Sequence, residues 1–469
     1  MQAPRPNVLF VFADDMTYDA VRALGNADVL TPHLDRLVAR GTSFTRAYNM
    51  GGWQPAVCMA SRSMMNSGRP LWESYRLHEQ WEAGETPLAL WSERMAAAGY
   101  RTYFTGKWHV ARDAEAVFAT AGHIRPGMPR DPWIERRAAR TNPEMAEPNE
   151  APLAGYFRGG ADDEPAWSPT DTSFGGYWAG GRHWSEVVAE DALAFLRDST
   201  RGSDEPFFMY LAFNAPHDPR QAPPAYQDLY SADTLPVPAS FTPAYPYAEA
   251  MGSGRGTRDE DLAPFPRTPE SVRLHTKEYY ALISHMDAQI GRVLEALDAA
   301  GLTDDTYVIF TADHGLAMGR HGLLGKQSLF EHSVRAPFVI AGPGVVEGVR
   351  NPTPIYLQDA MATALEIAGA PRDSGDFFHS VLAVARGERA SPPYTALYGA
   401  YTHTQRAIWR DDYKLLVFPE ADRTQFFHLG DDPEELRDLS RDPGQRELVA
   451  ALRRELVTLM REMGDTLEL

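Results

Sequence analysis

The sequence predicts an α/β fold: a large, mainly parallel (mixed) sheet flanked by helices on both faces, with a smaller C-terminal α+β subdomain. Three observations carry this. Continuous apolar runs at Asn7–Phe12, Phe207–Phe213 and Thr306–Thr311 are too short for helices, and two of them run straight into acids, Asp14-Asp15 and Asp313, the pattern of strands buried on both faces. Helical patterns alternate with these runs, which implies crossover connections and a sheet covered on both sides. After about Gly387 the texture changes to short strands and one charged helix. With 469 residues the chain exceeds one ordinary core, so we expect a catalytic-sized α/β domain over 1–386 and a subdomain over 387–469.

Taken in order, Asn7–Phe12 is the first strand. Thr31-Pro32 starts a helix, with proline in its first turn. A second helix spans Leu88–Ala98, is closed by Gly99, and precedes a short strand at Arg101–Thr105. A third covers Glu186–Arg197 and leads to the strand Phe207–Phe213. The helix Glu278–Ala300 ends at Gly301 and precedes Thr306–Thr311; Phe338–Ile340 is one more strand. Two long stretches rich in Pro and Gly, 122–182 and 214–270, exceed ordinary connections, and loops of that length usually serve function. In the tail, Tyr394–Tyr401, Arg406–Arg410 and Lys414–Phe418 read as short strands, and Gln445–Met463 as an amphipathic helix.

Composition excludes several classes. Hydrophobic residues at 43% and aromatics at 11% suffice for a packed interior. A formal charge of −19, from 45 basic and 64 acidic residues, argues against a nucleic-acid partner, which needs a basic face. A local cationic pocket for a small anion remains compatible with that total, because salt screens charge beyond about 8 Å. No apolar run approaches the ~18–20 residues of a membrane span. The single cysteine, Cys58, excludes an intrachain disulfide and any multi-cysteine metal site. The start of the chain lacks the shape of a signal peptide; the protein is periplasmic or exported if a leader was trimmed, and cytoplasmic otherwise.

Asp14-Asp15 and Asp313-His314-Gly315 both follow buried strands, where open α/β sheets place their ligand sites. Three carboxylates and an imidazole on one rim would repel unless a cation neutralised them. Cys58 opens a helical stretch ending at Gly68, and Arg62 stands four residues on; both favour negative charge at the sulfur. Only four of the basic residues are lysines, and two of them lie in Gly106-Lys107-Trp108-His109 and Gly325-Lys326-Gln327. A chain that otherwise uses arginine keeps lysine where a compact charge or proton donor is needed. His217, in Ala215-Pro216-His217-Asp218-Pro219, follows another buried strand.

In order along the chain, Asp14-Asp15, Cys58-Met59-Ala60-Ser61-Arg62, Gly106–His109, Ala215–His217, Asp313–Gly315 and Gly325-Lys326 resemble the signature of the formylglycine-dependent sulfatases of the alkaline phosphatase superfamily. Arg410 to Lys414 and Phe427-His428-Leu429 resemble that family's C-terminal subdomain. Ala60 stands where the family usually has proline, a known variant of the motif. The resemblance implies that a formylglycine-generating enzyme oxidises Cys58 to formylglycine, whose hydrate attacks sulfur and then expels sulfate. It implies one divalent cation held by Asp14, Asp15, residue 58, Asp313 and His314. Oxygen-rich ligation favours calcium over magnesium or manganese. Arg62 and Lys107 would steady the sulfuryl oxygens and His109 would take the proton that triggers sulfate expulsion. His217 and Lys326 would serve the leaving oxygen.

Two rivals remain open. A phosphonate monoester or phosphodiester hydrolase uses the same scaffold, but by resemblance that branch lacks the pair formed here by Lys107 and His109. A non-catalytic glycan-binding relative would result if Cys58 stayed unmodified. For the leaving alcohol, Trp53, Arg69, Trp72, Trp178, Arg182, His183 and His403 are candidate pocket residues, since sugar rings stack on tryptophan and their hydroxyls need polar partners. The glycine-rich segments around Trp178 and Lys326 resemble bacterial carbohydrate sulfatases more than choline sulfatases. A sulfated oligosaccharide or other sulfated small molecule is therefore the expected substrate.

Overall fold

The computed structural model describes residues 5–125, 127, 168–172, 176–178, 181–200, 205–388 and 392–469. The opening apolar run forms β1 (Asn7–Asp14), buried from Val8 onward because strands flank it on both sides. α1 (Pro32–Arg40) carries proline in its first turn, and the N–H groups of His33 and Leu34 donate to the carboxylate of Asp287 at 3.1 and 2.7 Å. Then come β2 (Thr42–Phe44), the two-residue β3 (Gly51–Gly52), α2 (Val57–Ser67), α3 (Leu71–Glu82) and α4 (Trp91–Ala97). β4 (Arg101–Lys107), β5 (Thr120–Arg125), α5 (Trp184–Ser199) and β6 (Phe207–Pro216) follow. α6 (Pro269–Ala299), β7 (Thr306–Ala312), β8 (Phe338–Ala341) and β9 (Val349–Asn351) complete the larger part.

Several boundaries differ from the sequence reading, and two helix starts show why. α4 starts at Trp91 instead of Leu88, because the side chain of Glu93 turns back to the N–H of Leu90 at 2.7 Å and fixes the helix start there. α6 starts at Pro269, well before Glu278, because Thr268 caps it by accepting from the N–H of Ser271 at 3.1 Å. That start signal lies inside the stretch read as loop. Most of the other long stretch, 122–182, lies outside the described residues.

The main sheet runs in the order β9-β2-β8-β7-β1-β6-β4-β5. β7, β1, β6, β4 and β5 are mutually parallel, and β8 alone runs against both its neighbours. The carboxyl ends of four adjacent strands, β7, β1, β6 and β4, therefore share one rim, with Ala13 level with Ala312 and Asp14 level with Pro216. Packing of α1, α4, α5 and α6 against the sheet makes the principal core.

A second sheet is built from β10 (Leu397–Tyr401), β11 (Gln405–Arg410), β12 (Tyr413–Phe418) and β13 (Arg423–His428), with α7 (Arg446–Glu462) packed against it. Its edge is β3, which pairs in parallel with β10, Gly51 opposite Ala400. A Cβ on Gly51 would lie 1.9 Å from the carbonyl oxygen of Ala400, so only glycine permits this approach. The C-terminal sheet thus grips the chain immediately before α2 and fixes where that helix begins. No helix among the described residues is long and apolar enough to cross a membrane.

Candidate active site

The strand rim supplies the charged groups. Asp14 ends β1 and Asp15 follows it at φ 65°; Asp313 and His314 follow β7; Lys107 ends β4 and His109 turns off it at φ 55°; His217 follows β6. Gly106 makes the delivery of Lys107 feasible. Its φ is 102°, and a Cβ there would meet the carbonyl oxygen of Ala212 at 1.9 Å, so β4 can lie this close to β6 only without a side chain.

α2 supplies the nucleophile position from above the rim. Cys58 lies in its first turn and Arg62 one turn later, on the same face. Arg62 is fully buried: Nε lies 3.0 Å from Asp313 Oδ2, Nη2 3.4 Å from Asp14 Oδ2, and Nη1 donates to the carbonyl of Lys107 at 2.6 Å. The ammonium of Lys107 pairs with Asp14. Sγ of Cys58 lies 3.2 Å from Nδ1 of His109.

On the far side, Nζ of Lys326 donates to the oxygens of Asp15 at 2.8 and 3.0 Å and to Nε2 of His217 at 2.9 Å. Nδ1 of His217 in turn donates to the carbonyl of Asp218 at 2.8 Å. An ammonium only donates and a carbonyl only accepts, so these partners fix the His217 tautomer, with hydrogen on Nδ1.

Burial and charge compete throughout. Burial pushes Asp14 up, but Lys107 and Arg62 outweigh it and hold the carboxyl well below the usual range. For Asp15 burial wins against His217 and Lys326 and pushes the carboxyl up to about 7. Burial raises the Cys58 thiol, yet Lys107 and Lys326 together bring it below its ordinary value. Burial, then Lys107 and Arg62, push His109 down to about 3, which leaves a neutral imidazole facing the sulfur.

The donor set fits a hard cation. Ligand atoms of Asp14, Cys58, Asp313 and His314 lie within 4.8 Å of one another, as do those of Asp14, Asp15 and His217. Nδ1 of His314 donates to the carbonyl of Gly315 at 2.9 Å, so Nε2 faces Asp15 Oδ1 at 3.3 Å and Asp313 Oδ1 at 3.5 Å as another acceptor. That nitrogen and Oδ1 of Asp14 have no hydrogen-bond partner among the described residues, while Oδ2 of Asp14 meets the ion pairs with Lys107 and Arg62. Three buried carboxylates and a ring nitrogen that converge with lone pairs left over after these ion pairs suit a cation between them.

Four residues that sequence reasoning did not single out support this site. Asp218 carries Nδ1 of His217, Arg258 bridges Asp218 and Asp259, and Gln327 donates to Asp259 at 2.7 Å. Asp259 lies 3.9 Å from Nζ of Lys326. Arg258 and Asp259 lie within 214–270, whose length was the only signal.

The seven candidate pocket residues divide. Trp53, Trp72 and His403 line one groove that also includes Met59, the neighbour of Cys58. Arg69 instead turns to Glu73, Asp373 and Asp376 at 3.3, 3.2 and 3.5 Å. Arg182 pairs with Glu190. His183 is a buried helix cap: Nδ1 accepts from Ser185 N at 3.0 Å and Nε2 lies 2.8 Å from the carbonyl of Gln221. Trp178 pairs with Arg182 through the backbone, and its side chain lies outside the described residues.

A family model described as Sulfatase matches residues 6–370, and one described as N-sulphoglucosamine sulphohydrolase, C-terminal, matches residues 319–462. The chain is 26% identical over 465 residues to the choline-sulfatase of Rhizobium meliloti (strain 1021), covering 94% of this chain and 84% of that one. It is similar in structure to the phosphonate monoester hydrolase from Silicibacter pomeroyi, with a TM-score of 0.73, 21% identity and coverage of 98% and 96% of the two chains. A protein solved in complex with its substrate D-glucosamine-2-N,6-O-disulfate gives a TM-score of 0.72 at 18% identity, over 98% and 99%. At these identities the structural likenesses speak for the fold alone. The family match spans most of the chain, from β1 past the rim that carries Asp313 and Lys326, and on it the chain belongs to the sulfatase family of sulfate-ester-hydrolysing enzymes.

Proposed function

We propose that this sulfatase releases inorganic sulfate from a sulfate monoester of a carbohydrate hydroxyl. Cys58 acts after conversion to formylglycine by a formylglycine-generating enzyme. Asp14, Asp15, residue 58, Asp313 and His314 hold one divalent cation, calcium before magnesium or manganese. The observation that carries this reading is the placement of Cys58: it faces a neutral His109, and its sulfur lies within 4.8 Å of the converging ligand atoms of Asp14, Asp313 and His314.

Formylglycine supplies a hydrated aldehyde with two hydroxyls on one carbon, one to attack sulfur and one through which sulfate is expelled. The cation supplies Lewis acidity toward a sulfuryl oxygen. The chain's own residues do the rest. Arg62 and Lys107 are locked by Asp313 and Asp14, so their charge is in place before substrate arrives and costs no reorganisation. His109, neutral, accepts the proton whose removal expels sulfate. Lys326 and His217 hold a proton between Nζ and Nε2, 2.9 Å apart, where it can pass to the departing alkoxide. Burial of these groups excludes water and strengthens every one of these interactions.

The carbohydrate reading is supported by Trp53 and Trp72 in a groove beside Cys58 and by the disulfated glucosamine of the structural relative. The phosphonate or phosphodiester reading is supported by the likeness to the phosphonate monoester hydrolase, which extends to the fold. Screening sulfated oligosaccharides, aryl sulfates and phosphonate esters for release of inorganic anion, with the mass of the Cys58 peptide measured on the same sample, separates the two. Sulfate release that scales with the formylglycine fraction is the expected result. Sulfate release that ignores it, or turnover of phosphonates alone, overturns the proposal.

A further inference from the structure

The segment ahead of α6 closes on the leaving-oxygen side of the site at three consecutive residues. Arg258 donates from Nη1 to Oδ1 of Asp218 at 3.0 Å and to Oδ1 of Asp259 at 2.7 Å, and its Nη2 also pairs with Asp218. Asp218 in turn holds His217, whose Nδ1 lies 2.8 Å from its carbonyl oxygen and 3.2 Å from its carboxylate. The second oxygen of Asp259 accepts from Nε2 of Gln327 at 2.7 Å and lies 3.9 Å from Nζ of Lys326. Oε1 of Gln327 accepts from the N–H of Lys326 at 3.0 Å. The carboxylate of Glu260 accepts from the N–H groups of Leu324 and Gly325 at 3.0 and 2.8 Å.

The carboxylate of Asp259 therefore spans the loop that carries His217 and the loop that carries Lys326, which meet at 2.9 Å. The fit is close. A Cβ on Gly325 would lie 2.7 Å from Cβ of Asp259, so a side chain there would push the segment away. Asp218, Asp259, Glu260 and Lys326 are all buried. Burial alone would raise the Asp259 carboxyl, but Lys326 and Arg258 outweigh it and hold it down to about 2, so it is ionised. Buried charges are costly to keep, and these converge on the two side chains that serve the departing oxygen. Asp259 lies outside both sets of converging ligand atoms at the cation site.

We propose that Asp259 is a positioning residue for the leaving group: with Arg258 and Glu260 it holds Lys326 and His217 in the geometry that delivers a proton to the departing oxygen. This inference rests on the sulfate-ester reading above. As the S–O bond breaks, its electron pair stays on the alcohol oxygen and the proton comes from the Lys326–His217 pair. An acidic phenol leaves with little help, whereas a weakly acidic alcohol such as a sugar hydroxyl needs the proton in place. Misplacing a reacting group by about 1 Å can cost about 10²-fold. The clamp therefore matters most for the poorest leaving groups.

The test compares kcat/KM for nitrophenyl sulfate and for unsubstituted phenyl sulfate, on protein whose Cys58 is converted. In Asp259→Asn the amide keeps one acceptor oxygen where Arg258 and Gln327 need two, and the nitrophenyl-to-phenyl ratio should rise about tenfold. Arg258→Met, at a partly exposed position, should move the ratio the same way, and it decides the matter where Asp259→Asn does not fold. In Lys326→Met the ratio is already raised, and adding Asp259→Asn should leave it unmoved, because Asp259 acts through Lys326. A variant that merely loosens the fold lowers both substrates alike. An unmoved ratio in active variants, or a further rise in the double variant, would overturn the proposal alone. If wild-type protein with converted Cys58 hydrolyses neither sulfate, the sulfate-ester reading falls, and this inference with it.

Discussion

Sγ of Cys58 and Nδ1 of His109 lie 3.2 Å apart across 51 residues of sequence, one in the first turn of α2 and the other just beyond β4. A helix start above the rim and a turn at its edge bring the nucleophile position against a base that burial keeps neutral. On this account Cys58→Ala and Cys58→Ser keep the fold and lose sulfate release by on the order of a thousandfold or more, because what is removed is chemical. Aryl sulfate turnover beside a circular dichroism melt checks this. A well-folded variant with substantial turnover contradicts the formylglycine mechanism.

The convergence of Asp14, residue 58, Asp313 and His314 predicts the behaviour of the metal. Exhaustive chelation should abolish sulfate release, calcium should restore it, and elemental analysis of active protein should find one divalent ion per chain. Asp313→Asn should cost orders of magnitude in activity, since it weakens both the cation site and the anchor of Arg62. Two ions per chain, or full activity after chelation, contradict this assignment.

Lys107 is buried against a buried Asp14, so removing it leaves an uncompensated carboxylate. Breaking such a pair costs about 3–5 kcal/mol, and losing one preorganised donor costs about 10²–10³ in rate. Lys107→Ala should therefore lower both the melting temperature of the chelated protein and kcat on sulfate esters. His109→Ala should lower kcat without the stability penalty. Equal stability of the two variants would contradict the role given to the Lys107–Asp14 pair.

Lys414 on β12 is buried between Glu331 and Glu435, donating to them at 3.2 and 2.6 Å. Burial and the second acid push Glu435 up to about 7, while Lys414 opposes them. From the ordinary value of 4.5 up to about 7, the folded protein keeps a proton that the unfolded chain has already lost. Stability should fall as pH rises through that window and level off on either side. Glu435→Gln, which mimics the protonated form, should flatten this slope in melts recorded across pH. A wild-type slope of the opposite sign contradicts the assignment.

β1, β6, β7 and β8 were legible because each is a short apolar run, whereas β2, β5 and β9 are short or polar and gave no such signal; the rim was legible because charged residues follow the central runs directly. Asp14, Asp313 and His217 are of this kind. The antiparallel course of β8 was not, since a buried strand reads alike in either direction. β3 was invisible for another reason: two glycines have no periodicity, and their pairing with β10 depends on a close backbone approach. His183 and Arg69 show the limit for single polar residues. A histidine that caps α5 and an arginine neutralised by Asp376 look, in sequence, like any others near a pocket. Asp259 and Arg258 come from a segment without regular pattern, so only the folded chain places them beside Lys326.

The central claim is that this site is built for sulfate. A sulfate monoester carries one negative charge and a phosphate monoester nearly two, so Arg62, Lys107, Lys326 and a cation can bind both, and binding alone does not discriminate. The direct measurement is kcat/KM for an aryl sulfate, the matching phosphate monoester, a phosphodiester and a phosphonate monoester, on one preparation whose Cys58 conversion is known from peptide mass. The account predicts that the sulfate is hydrolysed far faster than the other three, with inorganic sulfate or phosphate as inhibitor. A phosphonate or phosphodiester hydrolysed faster than every sulfate ester tested would contradict it.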